Sequence, residues 1–122
     1  MIIDNNKAIY LQIADRICDG ILAGNPEAGE RLPSVREYAG MVQVNPNTVM
    51  RSYELLSQQG IIYNKRGIGY FVSPQARDDI YRQRAATFRN ETLESVFSQL
   101  SLLGVTPAQL SAEYEAWLVK NK

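Results

Sequence analysis

The sequence predicts a mainly α chain with one small β-hairpin. Three observations carry that prediction: isoleucines recurring at steps of four near the start, two Ser/Thr-x-x-Glu/Gln capping boxes that each open a helical pattern, and a change of period after Gly60 into short β-rich runs. At 122 residues one principal domain is expected, with enough chain to bury a hydrophobic core without disulfide or metal staples.

Residues 8–23 place Ile9, Ile13, Ile17 and Ile21 on one stripe, widened by Leu11, Ala14, Cys18 and Leu22, with Gln12, Asp15, Arg16 and Asp19 opposite. This is an amphipathic helix whose isoleucines read as core. It stops at Gly24-Asn25-Pro26, a left-handed cap followed by a residue that cannot continue the ladder. Ser34-Val35-Arg36-Glu37 is a capping box, so a short second helix starts at Ser34, turns Val35, Tyr38, Ala39 and Val42 inward and is expected to end near Gly40 or Met41. Asn45-Pro46 opens a third helix that runs to about Gln59, with Val49, Tyr53 and Leu56 on its apolar side. Ile61-Ile62-Tyr63-Asn64 and Gly69-Tyr70-Phe71-Val72-Ser73 then flank Lys65-Arg66-Gly67-Ile68, which has turn chemistry. Two helices joined by a tight connection, a third helix and a hairpin make a helix-turn-helix with a wing.

From Gln75 to Leu103 no breaker interrupts the chain, and Ile80, Ala85, Phe88, Thr92, Val96, Leu100 and Leu103 recur at three- and four-residue steps. A single long helix is expected, ended by Gly104 and followed, after the Thr106-Pro107-Ala108-Gln109 box, by a last helix carrying Leu110, Tyr114, Trp117 and Leu118. Such a helical hairpin cannot bury both its faces internally, and a homodimer is the simplest solution. The expected organisation is thus a winged helix-turn-helix domain over residues 1–74 and a helical dimerisation tail over 75–122. Phe88, Leu93, Val96, Leu100, Leu103, Tyr114 and Trp117 are the candidate dimerisation residues.

Composition narrows the function. With no histidine there is no Ser-His-Asp triad and no imidazole base, and a single cysteine, Cys18, offers neither a disulfide nor a zinc cluster. An enzyme, a metal site and a cofactor are therefore not expected. The N-terminus lacks a basic stretch followed by an apolar one, and no apolar run approaches a membrane span, so the chain is expected to be soluble and cytoplasmic.

Thirteen basic and thirteen acidic residues cancel, which on its face argues against a nucleic-acid partner. By segment the balance is −3 over residues 1–30, +5 over 31–89 and −2 over 90–122. Positive charge gathers where a DNA-facing surface needs it. The candidate DNA-binding set is Arg31, Ser34, Arg36, Asn45, Asn47, Thr48, Arg51, Lys65, Arg66 and Gly67. Asn47 and Thr48 lie in the first turn of the third helix, where Asn pairs with adenine and a Thr methyl meets thymine. Gly67 lets the backbone approach closely, and Arg66 is placed to enter a minor groove or hold a phosphate. Plainer readings stand beside these: Arg51 paired with Glu54 on a solvated helix, Asn45 as a cap only, Lys65-Arg66 as a hydrophilic turn, Tyr70 and Phe71 as core and wing scaffold. Tyr81, Arg82, Arg84 and Arg89 read as a solvated face or as phosphate contacts.

Gly29-Glu30-Arg31-Leu32-Pro33-Ser34-Val35-Arg36-Glu37, Val44-Asn45-Pro46-Asn47-Thr48-Val49, Gln59-Gly60-Ile61-Ile62 and Arg66-Gly67-Ile68-Gly69-Tyr70-Phe71-Val72 together strongly resemble the winged-helix domain of GntR-family bacterial transcription regulators. The resemblance covers about residues 8–73, and with a tail of only about 50 residues the chain looks like the YtrA subfamily. It implies a small dimeric repressor, often encoded beside ABC transporter genes, with little room for a metabolite pocket and an effector left unnamed. The family's arginine contact in the second helix falls on Arg36 and its wing-tip contact on Arg66 and Gly67. Pro46 and Met50 stand where many relatives carry arginine, so Asn47, Thr48 and Arg51 are expected to take more of the readout. The partner expected is double-stranded DNA, bound by a homodimer on a pseudo-palindromic operator. The rival is a winged-helix protein-interaction module. An aminotransferase-like enzyme, as in some larger relatives, needs several hundred more residues.

Overall fold

The computed structural model describes residues 7–122; the N-terminal residues 1–6, on which the absence of a leader segment was argued, lie outside them. The chain forms two compact units, the first ending at Arg82 and the second running from Gln83 to Lys122.

In the first unit α1 (Ile9–Leu22) buries Ile13, Ala14, Ile17, Cys18 and Ile21. Ile9, at the start of the expected stripe, is 39% exposed, so the buried face begins one turn later. The helix ends in a Schellman motif: the Gly24 amide donates to the Ile21 carbonyl and the Asn25 amide to the Gly20 carbonyl. α2 (Val35–Val42) starts from the expected capping box, with the Glu37 amide donating to Ser34 Oγ at 3.1 Å and the Ser34 amide to Glu37 Oε1 at 2.9 Å. It continues through Gly40 to Val42. The left-handed position falls on Gln43 instead, and the Val44 amide closes back on the Ala39 carbonyl at 3.1 Å.

α3 (Pro46–Gln58) starts at Asn45, whose Oδ1 accepts from the Asn47 amide at 2.8 Å, and it buries Val49, Ser52, Tyr53 and Leu56. Two of its buried polar groups are satisfied, as burial requires, whereas Ser57 Oγ near its end is buried without a hydrogen-bond partner. Ser52 Oγ donates to the Tyr10 carbonyl at 2.7 Å, and the Tyr53 hydroxyl donates to the Pro33 carbonyl at 2.6 Å. The Tyr53 ring meets Tyr70 edge-on at 5.0 Å, which ties α3 to the hairpin.

β1 (Ile62–Lys65) and β2 (Gly69–Val72) pair antiparallel from Ile62–Val72 to Lys65–Gly69, leaving Arg66, Gly67 and Ile68 as the wing tip. A third edge joins them, which the hydrophobic pattern does not reveal. The Gly29 amide donates to the Val72 carbonyl, the Val72 amide to the Glu30 carbonyl and the Leu32 amide to the Tyr70 carbonyl, with Arg31 bridged to Phe71. A lone bridge between Gly29 and Pro33 is too short to carry a period of two. α4 (Ala76–Thr87) begins inside this unit, where Ala76 and Ile80 are fully buried in the core. Ile80 therefore does not belong to the apolar stripe of the tail.

In the second unit the expected unbroken α-helix is interrupted. After the end of α4 comes a π-helical segment, Phe88–Leu93, and then α5 (Glu94–Leu102). The wider turn inserts about one residue of phase, roughly 100° of helix, so apolar residues before and after it fall out of the straight-helix register. α6 (Pro107–Lys120) starts from the Thr106–Gln109 capping box. No residue of α5 or α6 is fully buried; Leu93, Leu100, Val105 and Leu110 are half-buried. Among the described residues no helix is long and apolar enough to cross a membrane.

Candidate nucleic-acid interface

α3 divides cleanly. Its buried side holds it to α1 and the hairpin, while Asn47, Met50, Arg51 and Glu54 lie exposed on the other side and Thr48 is half-buried in the first turn. Asn45 Oδ1 is occupied as the cap, which leaves its side-chain NH2 as the group with donors to offer. Arg36, exposed in the first turn of α2, shares a shallow hollow of about 680 Å³ with Gly40, Gln43, Asn45, Pro46 and Asn47. The helix-turn-helix thus brings Arg36 beside the N-terminus of α3, whose dipole favours phosphate although its first-turn amides are taken up by Asn45. Ser34 caps α2 with its oxygen, and its hydroxyl also faces the Glu37 carboxyl.

Arg51 is not paired with Glu54. Its guanidinium lies over the ring of Tyr10 on α1, 4.0 Å from the ring centroid. Sequence reasoning had no access to this contact, because Tyr10 and Arg51 are far apart in the chain and Tyr10 reads as one more apolar position in α1. Met50, 38% exposed on the same side of α3, puts an apolar thioether among the polar groups.

On the wing, the Lys65 ammonium sits 4.7 Å from the centre of the Phe71 ring, which stacks on Tyr63 at 5.8 Å. Phe71 is scaffold for the wing, and Tyr70 is packed on Tyr53. Arg66 and Gly67 are exposed at the tip. Arg31 lies across the base of the wing: Gly69 has φ +140°, and a Cβ built there would stand 2.8 Å from Arg31 Nε. Glycine at position 69 is what lets this arginine lie against the strand.

Among the described residues none of Arg31, Arg36, Arg51, Lys65 and Arg66 is held in an ion pair. Arg82, by contrast, is paired with Asp79 at 3.1 Å. The Ser34 amide, then the Ser34 hydroxyl, and further the Arg31 cation hold the Glu37 carboxyl below its usual range. Burial pushes the Tyr53 phenol far up, so it stays protonated and keeps donating to Pro33.

The candidate dimerisation residues are distributed over the second unit. Phe88 and Leu93 bound the π-helical segment, Val96 and Leu100 lie on α5, and Leu103 follows it. Tyr114 and Trp117 stack on α6 with ring centroids 6.5 Å apart. All but Leu93 and Leu100 are exposed, and Phe97, Leu102, Leu118 and Val119 add exposed apolar surface that the straight-helix reading did not single out for pairing.

The family model of bacterial regulatory proteins, gntR family, matches residues 9–72. The chain is 37% identical over 106 residues to YhcF, an uncharacterised HTH-type transcriptional regulator of Bacillus subtilis, covering 87% of this chain and 86% of that one. It is 35% identical over 101 residues to the HTH-type transcriptional repressor YtrA of the same organism, covering 83% of this chain and 77% of that one. A solved GntR-family transcriptional regulator from Bacteroides thetaiotaomicron superposes with a TM-score of 0.86 at 50% identity, covering 94% of this chain and 100% of that one. An α3 with one exposed face, a wing beside it and relatives that align over most of the chain lead to one conclusion: this chain belongs to the GntR family and is a transcription regulator with a winged helix-turn-helix DNA-binding domain, not an enzyme.

Proposed function

We propose that the protein is a homodimeric repressor that sets two α3 helices into successive major grooves of a pseudo-palindromic operator. The observation that carries the reading is the set of five exposed cations without ion-pair partners, gathered around α3 and the wing. Binding would then cost no broken salt bridge, and each phosphate neutralised would release counterions. Asn47, Thr48 and Arg51 supply base contacts, Arg36, Arg31 and Ser34 hold the flanking backbone, Asn45 adds its amide at the helix start, and Lys65, Arg66 and Gly67 engage the neighbouring groove.

The tail supports pairing because its apolar side chains are uncovered in the single chain. A second copy laid on Phe88, Leu93, Val96, Leu100, Leu103, Tyr114 and Trp117 would remove them from water. This keeps the division into a DNA-binding part over residues 1–74 and a dimerisation tail over 75–122, with the buried Ala76 and Ile80 anchoring the start of α4 to the first part. Half-sites would lie about 10 bp apart or a multiple of that. Repression would follow from occlusion of a promoter in the cytoplasm, and likeness to the repressor YtrA favours that sign of control. The resemblance to the YtrA subfamily extends the proposal to transporter genes.

Selection of bound fragments from a genomic library, followed by gel-shift titration at several salt concentrations, tests it. Affinity should fall steeply with salt, and Arg36→Ala and Arg51→Ala should each weaken binding. Affinity indifferent to salt and to both substitutions would favour the protein-interaction module instead.

A further inference from the structure

Arg51 is the one base-contact candidate whose long side chain must be aimed. An arginine free in solvent samples many rotamers, and holding it in one of them costs affinity. The fold contains a device for this. Tyr10 stands in the first turn of α1 on the same side as the buried Ile13 and Ile17, so its ring prolongs the core stripe toward α3 and is itself half-buried.

We propose that Tyr10 is a positioning residue for sequence readout: its ring holds the Arg51 guanidinium over its face, so that the arginine is already aimed before DNA arrives. Three observations support it. The guanidinium carbon is 4.0 Å from the ring centroid, a cation–π distance. The guanidinium donors point outward in its own plane, so a ring on one face leaves the edge free for a guanine or a phosphate. The two elements are also locked where it matters, since the fully buried Ser52, next to Arg51, donates from Oγ to the carbonyl oxygen of Tyr10 itself at 2.7 Å. Glu54, the carboxylate that would otherwise draw Arg51 away along α3, makes no ion pair with it. DNA closing over the pair would exclude water and strengthen the contact.

The inference rests on Arg51 contacting DNA, and the test separates the two. The full chain and its Tyr10→Phe, Tyr10→Leu, Arg51→Ala and Tyr10→Leu/Arg51→Ala variants are titrated by fluorescence anisotropy. The probe is a 30-bp duplex enriched from a randomised pool by the wild-type protein. Tyr10→Phe should bind like wild type, because the ring remains. Tyr10→Leu should weaken binding about two- to five-fold, the worth of an exposed cation–π contact, and should add nothing in the Arg51→Ala background. The double-mutant cycle cancels any general loosening of α1. The Arg51 Nε–H proton should resonate upfield in wild type and Tyr10→Phe and return to its ordinary position in Tyr10→Leu. An equal loss in both backgrounds, a loss in Tyr10→Phe, or unchanged binding by Tyr10→Leu while Arg51→Ala weakens it would each overturn the positioning role. Unchanged binding by Arg51→Ala would overturn the DNA role of Arg51 and the positioning role with it.

Discussion

Substituting Gly69 by alanine probes how the wing holds Arg31. Two costs add at this position. The backbone has φ +140°, a conformation that side chains rarely adopt, and forcing alanine into it costs about 1–3 kcal/mol. The new Cβ would also stand 2.8 Å from Arg31 Nε and 3.4 Å from its Cζ and Nη2. The chain at Arg31 has little freedom to retreat, because the Leu32 amide is bonded to the Tyr70 carbonyl at 2.8 Å and the Glu30 carbonyl accepts from the Val72 amide at 3.0 Å. The guanidinium must swing off the wing instead. Gly67→Ala is the internal control: φ is +80° and no atom lies within 4 Å of the added carbon, so only the left-handed backbone cost of about 1–2 kcal/mol applies. For a unit of this size the Gly69 variant should melt roughly 5–20 °C below wild type. It should also bind DNA more weakly than its loss of stability explains. Adding Arg31→Ala should bring no further loss of affinity, since the arginine is already displaced. Thermal melts by circular dichroism and anisotropy titrations measure both. A Gly69→Ala protein that melts and binds like wild type would refute the reasoning.

Tyr53→Phe removes the donor to the part-buried Pro33 carbonyl and should cost about 1–3 kcal/mol by urea unfolding, with little change in DNA contact geometry. A change within error would mean that water replaces the hydroxyl. Because the Glu37 carboxyl is held below its ordinary value, its capping contribution is present above pH of about 4.5 and is lost as pH falls through the lower folded value. The Ser34 amide resonance should titrate with a midpoint under 4.5, and in Glu37→Gln it should not titrate there at all. Val96→Asp combined with Trp117→Asp should shift the solution mass from dimer to monomer at micromolar concentration while the first unit keeps its melting behaviour. A wild-type chain already monomeric there would remove the half-site spacing.

The helix starts were legible because capping is local chemistry. Ser34 with Glu37, Thr106 with Gln109 and Asn45 with the Asn47 amide satisfy one another within three residues, whatever the rest of the chain does. The same holds for the hairpin, whose turn residues separate two β-rich runs. Segmental charge pointed to the same candidate interface, since it needs no coordinates. Helix ends read from glycine alone were less secure: α2 runs through Gly40 because Gln43 takes the left-handed position and Val44 closes the turn. The π-helical turn at Phe88–Leu93 left no mark in the pattern, because hydrophobic spacing reports a mean period and not a single widened turn.

The amino-acid sequence by itself determined which segments become helices or wing, which family they belong to and where positive charge gathers. Those properties follow from neighbours along the chain and from counts of side chains. Only the tertiary structure decided that Arg31 lies on Gly69, that Arg51 rests on Tyr10 rather than on Glu54, and that Ile80 serves the first unit's core. Each of these joins residues far apart in sequence. A side chain with several possible partners takes the one that packing brings within reach, and the choice exists only once α1, α3 and the wing have closed on one another.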